Sequence, residues 1–202
     1  MKYRIEVLGS ETCCDGFFLL KRYRLRHSLF AGGWSGEVVR ERVERLRAAS
    51  VLLFDPEEDA VVMIEQFRIG ALELRQGAWL LETVGGLVEP GQDPEDVARQ
   101  EAWEEAGCEI LDLLPICDFF VSPGTSVERI HLFCGRVDSR DAGGIHGLVH
   151  EGEDIRVQVL GAERAITELY GGRINSTSAI IATQWLALHR TRLRQGVWIP
   201  AE

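Results

Sequence analysis

Several features are missing from these 202 residues. No run of about 18 apolar residues occurs, the length a helix needs to cross a bilayer, so no membrane-spanning helix is expected. The opening residues MKYRIEVLGSE lack the apolar core of a secretory leader. The five cysteines, Cys13, Cys14, Cys108, Cys117 and Cys134, are odd in number and contain no Cys-x-x-Cys pair of the kind that binds zinc. A bridge between the neighbours Cys13 and Cys14 would be strained. Reduced thiols and a cytoplasmic location are therefore the expectation. No internal repeat, low-complexity tract or linker interrupts the chain.

Positive charge is also scarce, with 22 Lys and Arg against 32 Asp and Glu and a net charge of −10. A sequence-independent nucleic-acid binder needs a basic face to release phosphate counterions, and a polybasic membrane anchor needs one too. Neither partner is expected. What remains is an ordinary globular composition, 46% hydrophobic and 27% charged, of a length suited to one domain with a small extension.

The acidic excess is uneven. Residues 1–50 carry a net +4, residues 51–81 a net −4, residues 82–110 a net −8 and residues 111–202 a net −2. Most of the imbalance sits in one 29-residue stretch.

Residues 3–8, 17–26 and 37–47 are rich in strand formers, and VLLF and AVVMIEQF flank a DPEED turn in the manner of a hairpin. WLLETVGG (79–86) reads as one short strand ending on two glycines. The clearest helix covers 94–106, with Asp93 as N-cap, Pro94 at the first position and Gly107 as the stop. Val97, Ala98, Ala102 and Ala106 form its apolar stripe. Strands follow near 108–121, 130–137 and 154–160, then a short helix at 162–170. A longer helix runs from about Ser176 to Arg194, with Ile180, Ile181, Trp185 and Leu188 predicted on its buried side. The pattern is a mixed α/β or α+β chain with a β-rich N-terminal part.

Glu101, Glu104 and Glu105 stand at i, i+3 and i+4, within one third of the helix circumference. Like charges at this spacing repel by a few tenths of a kcal/mol per pair, and the C-terminal end of a helix disfavours anions. The placement serves a hard divalent cation or a solvated acidic face. The Gly-rich loop 85–91 leads into the helix and lets backbone groups approach a ligand.

GGLVEPGQDPEDVARQEAWEEAGCEI (85–110) resembles the Nudix box, G-x5-E-x7-R-E-U-x-E-E-x-G-U. Gly86, Glu101, Ala102, Glu104, Glu105, Gly107 and Cys108 fit that frame, while Gln92 stands at the first glutamate position and Gln100 at the arginine position. Further stretches, GFFLLKRYRLRHSLFAGG, FDPEEDAVVMIEQFRIGA, SPGTSVER, GIHGLVHEGEDIRV and INSTSAIIATQWLALH, are similar to bacterial ADP-ribose pyrophosphatases of the Nudix superfamily. The resemblance covers about residues 15–198.

The resemblance implies an α/β/α sandwich around a mixed sheet. Residues 1–47 would be an N-terminal antiparallel β-region for dimerisation and adenine contact, and residues 48–202 the hydrolase domain. It implies hydrolysis of ADP-ribose to AMP and ribose 5-phosphate by a homodimer using two or three Mg2+ ions, with Mn2+ as a substitute. Glu101, Glu105, a third carboxylate at Glu104 and the Gly85 carbonyl match the metal ligands. Glu151 matches the general base, with Glu153 as its rival and as a ligand on loop closure. Arg68 matches a group facing the pyrophosphate, which suits a guanidinium fork. Phe17 and Arg40 match residues that sandwich the adenine across the dimer, Glu128 a carboxylate near the terminal ribose, and Pro123, sixteen residues after Gly107, a mark of ADP-ribose preference. Gln92 and Gln100 together remove one negative and one positive charge, so local charge is kept and activity is expected to survive. The alternatives are a pyrophosphatase for another nucleotide sugar such as GDP-mannose, and a Nudix-fold module that binds ADP-ribose with weak catalysis.

Overall fold

The computed structural model describes residues 3–44 and 47–198, with the backbone alone at Glu151. The chain divides into two compact units, residues 1–47 with 120–129, and residues 48–119 with 130–202. The segment 120–129 thus joins the N-terminal unit, an association that sequence order does not reveal.

In the first unit, β1 (Ile5–Asp15), β2 (Leu19–His27) and β3 (Val38–Glu44) form an antiparallel sheet in the order β1-β2-β3. Register shifts between Val7 and Gly9, and between Thr12 and Cys14, mark bulges in β1. The segment 120–129 pins to β3, where the Val43 N–H donates to the Thr125 carbonyl at 2.9 Å. Leu19 is the buried apolar residue of this sheet, whereas Tyr3, Ile5, Val7, Phe17 and Phe30 stay exposed.

The second unit is built on an eight-stranded mixed sheet. Its path begins at β4 (Arg47–Asp55) and β5 (Ala60–Phe67), the expected hairpin. The Asp55 carboxylate ties the turn by accepting from the Glu57 and Glu58 N–H groups. The run 79–86 is not one strand. It breaks at Thr83 into β6 (Trp79–Glu82), which pairs with β5, and β7 (Val84–Leu87), which pairs with β4. The buried Thr83 hydroxyl meets the Ser50 hydroxyl at 2.8 Å, fixing the point where the chain changes neighbours. The remaining strands are β8 (Asp112–Phe120), β9 (Arg129–Arg136), β10 (Gly144–His146) and β11 (Ile155–Gly161), and the main order is β10-β11-β5-β4-β9-β8.

Alternation along the central strands makes the sandwich. Val51 and Leu53 of β4, with Val62 and Ile64 of β5, pack against Val97, Ala98, Ala102 and Ala106 of α1 (Pro94–Ala106). Leu52, Phe54, Val61 and Met63 face the other way, against α2 (Ala162–Tyr170) and α3 (Thr177–Arg194). The stripe predicted for α1 is buried as read, because small residues let the helix sit close to the sheet. On α3 the buried residues are Ala179, Ala182, Thr183, Leu186 and Leu193, while Leu188 is 83% exposed. Ile180, Ile181 and Trp185 pack half-buried against that core as expected, and of the four residues read on the buried side only Leu188 faces outward.

The β4–β5 turn is clamped to α3. Asp59 has φ 53°, uncommon for a residue with a side chain, and its carboxylate takes the Arg190 Nε at 2.7 Å. Arg190 also donates to Glu163 of α2 at 3.0 Å. The hydrogen bond from Arg190 holds the Asp59 carboxyl below its ordinary range. Its stabilisation is therefore full above the ordinary carboxylate pKa and is lost as pH falls through the lowered value. Replacing Arg190 with alanine should cost about 1–2 kcal/mol at neutral pH, a fall in Tm of roughly 3–6 °C for a chain of this size. Thermal unfolding at pH 7 and again in acid checks this, since the difference between the two proteins should shrink in acid.

Candidate active site

The site is assembled where β7 passes beneath α1. Asp93 caps α1 by accepting from the Glu95 N–H at 2.9 Å, and Gly107 closes it at φ 63°. These ends fix the phase of the helix, and the apolar stripe turns the glutamate face toward β7. Glu105 is 3% exposed and its Oε2 accepts from the Gly85 N–H at 2.9 Å. A Cβ on Gly86 would lie 1.9 Å from Glu101 Oε1. The two glycines are the surface on which both carboxylates rest.

Burial pushes the Glu105 carboxyl up to about 8, the Gly85 N–H opposes that rise, Glu101 and Glu153 add to it, and Arg68 opposes it. Three carboxylates and one guanidinium therefore share one electrostatic neighbourhood. Glu153 arrives from the loop before β11, where its Oε2 accepts from the Leu148 N–H at 2.9 Å. Gly147, at φ 99°, permits this stem to close, because a Cβ there would meet the Cβ of Glu153 at 2.7 Å. His146 seats the same loop on α1, its ring so close to Gly107 that a Cβ there would stand 2.8 Å from Cε1.

Glu104 is turned to a different task, its Oε1 accepting from the Gln100 amide at 3.1 Å. Gln92 closes the preceding turn by accepting from the Glu89 N–H at 2.8 Å. The two glutamines, whose charge changes balance on paper, thus serve separate partners. Arg68 donates its Nε to Glu82 at 2.7 Å. No motif in the sequence marks Glu82. Its signal was position alone, a charged residue ending an apolar strand just before the two glycines.

Glu151 lies at the end of a single 3-10 turn, Val149–Glu151, and its side chain is outside the described residues. Among the described residues, no three His, Cys, Asp or Glu side chains are gathered in positions to hold one ion. Glu105 and Glu153 each give an oxygen to a backbone N–H instead. The donor types nevertheless fit a hard divalent cation, since Glu101 against Gly86 and the buried Glu105 against Gly85 offer carboxylate oxygens beside the same two glycines.

The first unit carries the other expected residues. Phe17 is 85% exposed and meets Phe18 edge-on at 4.8 Å between ring centres. Arg40, opposite Tyr23 in the sheet, donates to the Val39 carbonyl at 2.7 Å. Pro123 lies in a turn closed by the Thr125 N–H on the Ser122 carbonyl, and the Glu128 N–H donates to the Ser126 hydroxyl at 3.0 Å.

Residues 44–177 match the NUDIX domain family, and the chain belongs to that family of hydrolases. Its members generally use divalent metal ions. The chain is 48% identical over 195 residues to the ADP-ribose pyrophosphatase of Haemophilus influenzae, covering 95% of this chain and 90% of that protein. It is 47% identical over 193 residues to the ADP-ribose pyrophosphatase of Escherichia coli K12, with 96% and 92% covered. The GDP-mannose pyrophosphatase of Citrobacter koseri is 29% identical over 192 residues, with 92% and 96% covered. The crystal structure of an ADP compounds hydrolase shares the fold, with a TM-score of 0.67 at 18% identity over 92% of this chain and 96% of that one. Among the described residues no helix is long and apolar enough to cross a membrane.

Proposed function

We propose that this chain hydrolyses the pyrophosphate of ADP-ribose to AMP and ribose 5-phosphate, with Mg2+, as a cytoplasmic homodimer. The observation that carries the reading is the placing of Glu101 on Gly86 and of the buried Glu105 on the Gly85 N–H, in a chain 48% identical to an ADP-ribose pyrophosphatase. Glu101, Glu105 and the Gly85 carbonyl would hold the cation, which supplies phosphate neutralisation and a more acidic water. In the reaction, water oxygen forms a bond to one phosphorus, the anhydride P–O bond breaks, and the leaving phosphate keeps the bonding pair. Glu151 takes the proton from the water, with Glu153 the other candidate, and a carboxylate suffices because the water is already acidified. The guanidinium of Arg68 meets the pyrophosphate oxygens.

Phe17 and Arg40 hold the adenine from the partner copy, Glu128 serves the terminal ribose, and Pro123 goes with a preference for ADP-ribose. The exposed Tyr3, Ile5, Val7 and Phe30 of the first unit support a surface that a second copy covers.

Incubation with Mg2+ and a panel of nucleoside diphosphate derivatives tests the assignment. AMP and ribose 5-phosphate from ADP-ribose, at a kcat/KM well above that for GDP-mannose, is the expected result. Preference for GDP-mannose, or saturable ADP-ribose binding without AMP, would replace it. Phe17→Ala should raise KM for ADP-ribose by roughly 5- to 100-fold with kcat little changed, the value of one stacked base. Sedimentation of the same samples reads the dimer.

A further inference from the structure

The rungs of the sheet beside the carboxylates hold a donor with no acceptor. On β5 and β6, Ile64 stands opposite Glu82, Gln66 opposite Leu80 and Phe67 opposite Trp79, and the Arg68 N–H continues the ladder on the Ala78 carbonyl. Alternation puts Ile64, Gln66 and Arg68 on one face with Leu80 and Glu82, the face that packs under α1. Arg68 and Glu82 are four residue pairs apart along the ladder, two on this face, yet their side chains meet at 2.7 Å. They therefore lean toward each other across the Gln66–Leu80 rung. Gln66 beneath them is 7% exposed, and its amide nitrogen is buried without a hydrogen-bond partner. A buried amide donor left unpaired is costly, and native proteins seldom keep one without a use.

The ion pair above it is lopsided. The Arg68 side chain is 48% exposed, whereas that of Glu82 is 13% exposed. If Arg68 turns to a phosphate, Glu82 stays behind as a nearly buried carboxylate without its cation, and that cost falls on substrate binding.

We propose that Gln66 is a positioning residue that takes over Glu82 when Arg68 engages the substrate pyrophosphate. The Gln66 amide N–H, idle while Arg68 holds Glu82, donates to the Glu82 carboxylate once the guanidinium swings outward. The exchange keeps Glu82 satisfied in both states, so Arg68 is free to bind phosphate without stranding a buried charge. Glutamine suits this role because it is neutral and adds no competing charge for Arg68. The inference rests on the reading that Arg68 meets the pyrophosphate, though not on which nucleoside or sugar flanks it.

The test is a double-mutant cycle read by calorimetric titration with inorganic pyrophosphate and Mg2+. Gln66→Met keeps the length and removes the donor, and it should weaken pyrophosphate binding about tenfold or more, the value of a hydrogen bond to a charged group. With Glu82→Gln, the carboxylate that needs the donor is gone, and Gln66→Met should then change affinity by less than about twofold. Gln66→Glu, of nearly the same shape, should weaken binding as well, by holding Arg68 back. Thermal unfolding of each variant separates misfolding from the effect. Equal losses from Gln66→Met in both backgrounds would reduce Gln66 to packing and overturn the proposal, as would no loss in either. Arg68→Met checks the premise, and unchanged pyrophosphate affinity in that variant would overturn the exchange. Coupling in the cycle together with no cleavage of ADP-ribose would uphold the exchange and sink only the substrate assignment.

Discussion

Replacing Gly86 with alanine is expected to leave the protein folded and nearly inactive. The added methyl would lie 1.9 Å from Glu101 Oε1 and 2.4 Å from its Cδ, so one of them must move. The carboxylate is the free end of a flexible side chain, so it moves and the fold survives. Its displacement by an ångström or more takes it out of line with Glu105, and errors of that size cost about 10²-fold in rate. The neighbouring position behaves in the opposite way. A Cβ on Gly85 would stand 2.5 Å from the Ala49 carbonyl oxygen and 3.1 Å from the Ser50 Cα, both backbone atoms of β4. Neither can yield without parting β7 from β4, so Gly85→Ala should lose about 1–3 kcal/mol of stability, as overpacked sites do. Thermal unfolding and metal-dependent turnover of the two variants, measured side by side, check the contrast. A Gly86→Ala protein with full activity would show that Glu101 need not rest where it does.

Glu105→Gln should make the metal-free protein more stable at alkaline pH while removing its activity. Burial, with Glu101 and Glu153 adding to it, raises the Glu105 carboxyl to about 8. The folded chain therefore binds a proton there that the unfolded chain, near 4.5, has released. Stability falls as pH rises between those values, with the full loss reached above about 8, and it amounts to at most about 5 kcal/mol. The glutamine amide carries no charge to bury, and its oxygen can still accept from the Gly85 N–H. In chelator, the Tm of the wild type should drop from pH 5 to pH 8.5 while that of Glu105→Gln stays nearly level over the same range, apart from slopes common to both. Mg2+ should restore the wild type most strongly at the alkaline end, because the cation replaces the missing compensation, and should do little for the variant. Loss of a negatively charged ligand predicts a fall in turnover of 10²-fold or more, comparable to other losses of charge stabilisation in a water-poor site. Parallel pH curves for the two proteins in chelator would refute the raised carboxyl.

Signals that act over a few residues predict their elements directly. The cap Asp93, the proline after it and the stop at Gly107 bracket α1 at Pro94–Ala106, and α2 falls at Ala162–Tyr170 as read. The spacing of Glu101, Glu104 and Glu105 placed an acidic face on that helix. It did not distinguish Glu105, buried on the Gly85 N–H, from Glu104, which a glutamine four residues earlier holds at an exposed edge. Both are carboxylates on the same side of one helix, and only the approach of β7 makes them differ.

What the sequence determined by itself is the chemistry carried by neighbours along the chain: where helices start and stop, which face of α1 is apolar, and which short segment concentrates negative charge. These follow from steric and capping preferences that span a few residues. Tertiary structure decided everything that depends on which strand lies beside which. It broke 79–86 at Thr83, so that Glu82 belongs to one ladder and Gly85 to another. It set the phase of α3, exposing Leu188 where small residues let the helix approach more closely. It brought Arg68 over Gln66 to Glu82, and the charge of Glu153 near enough to help raise the Glu105 carboxyl across 48 positions of sequence. Strand pairing is chosen by burial summed over the whole sheet, and no single segment carries that sum.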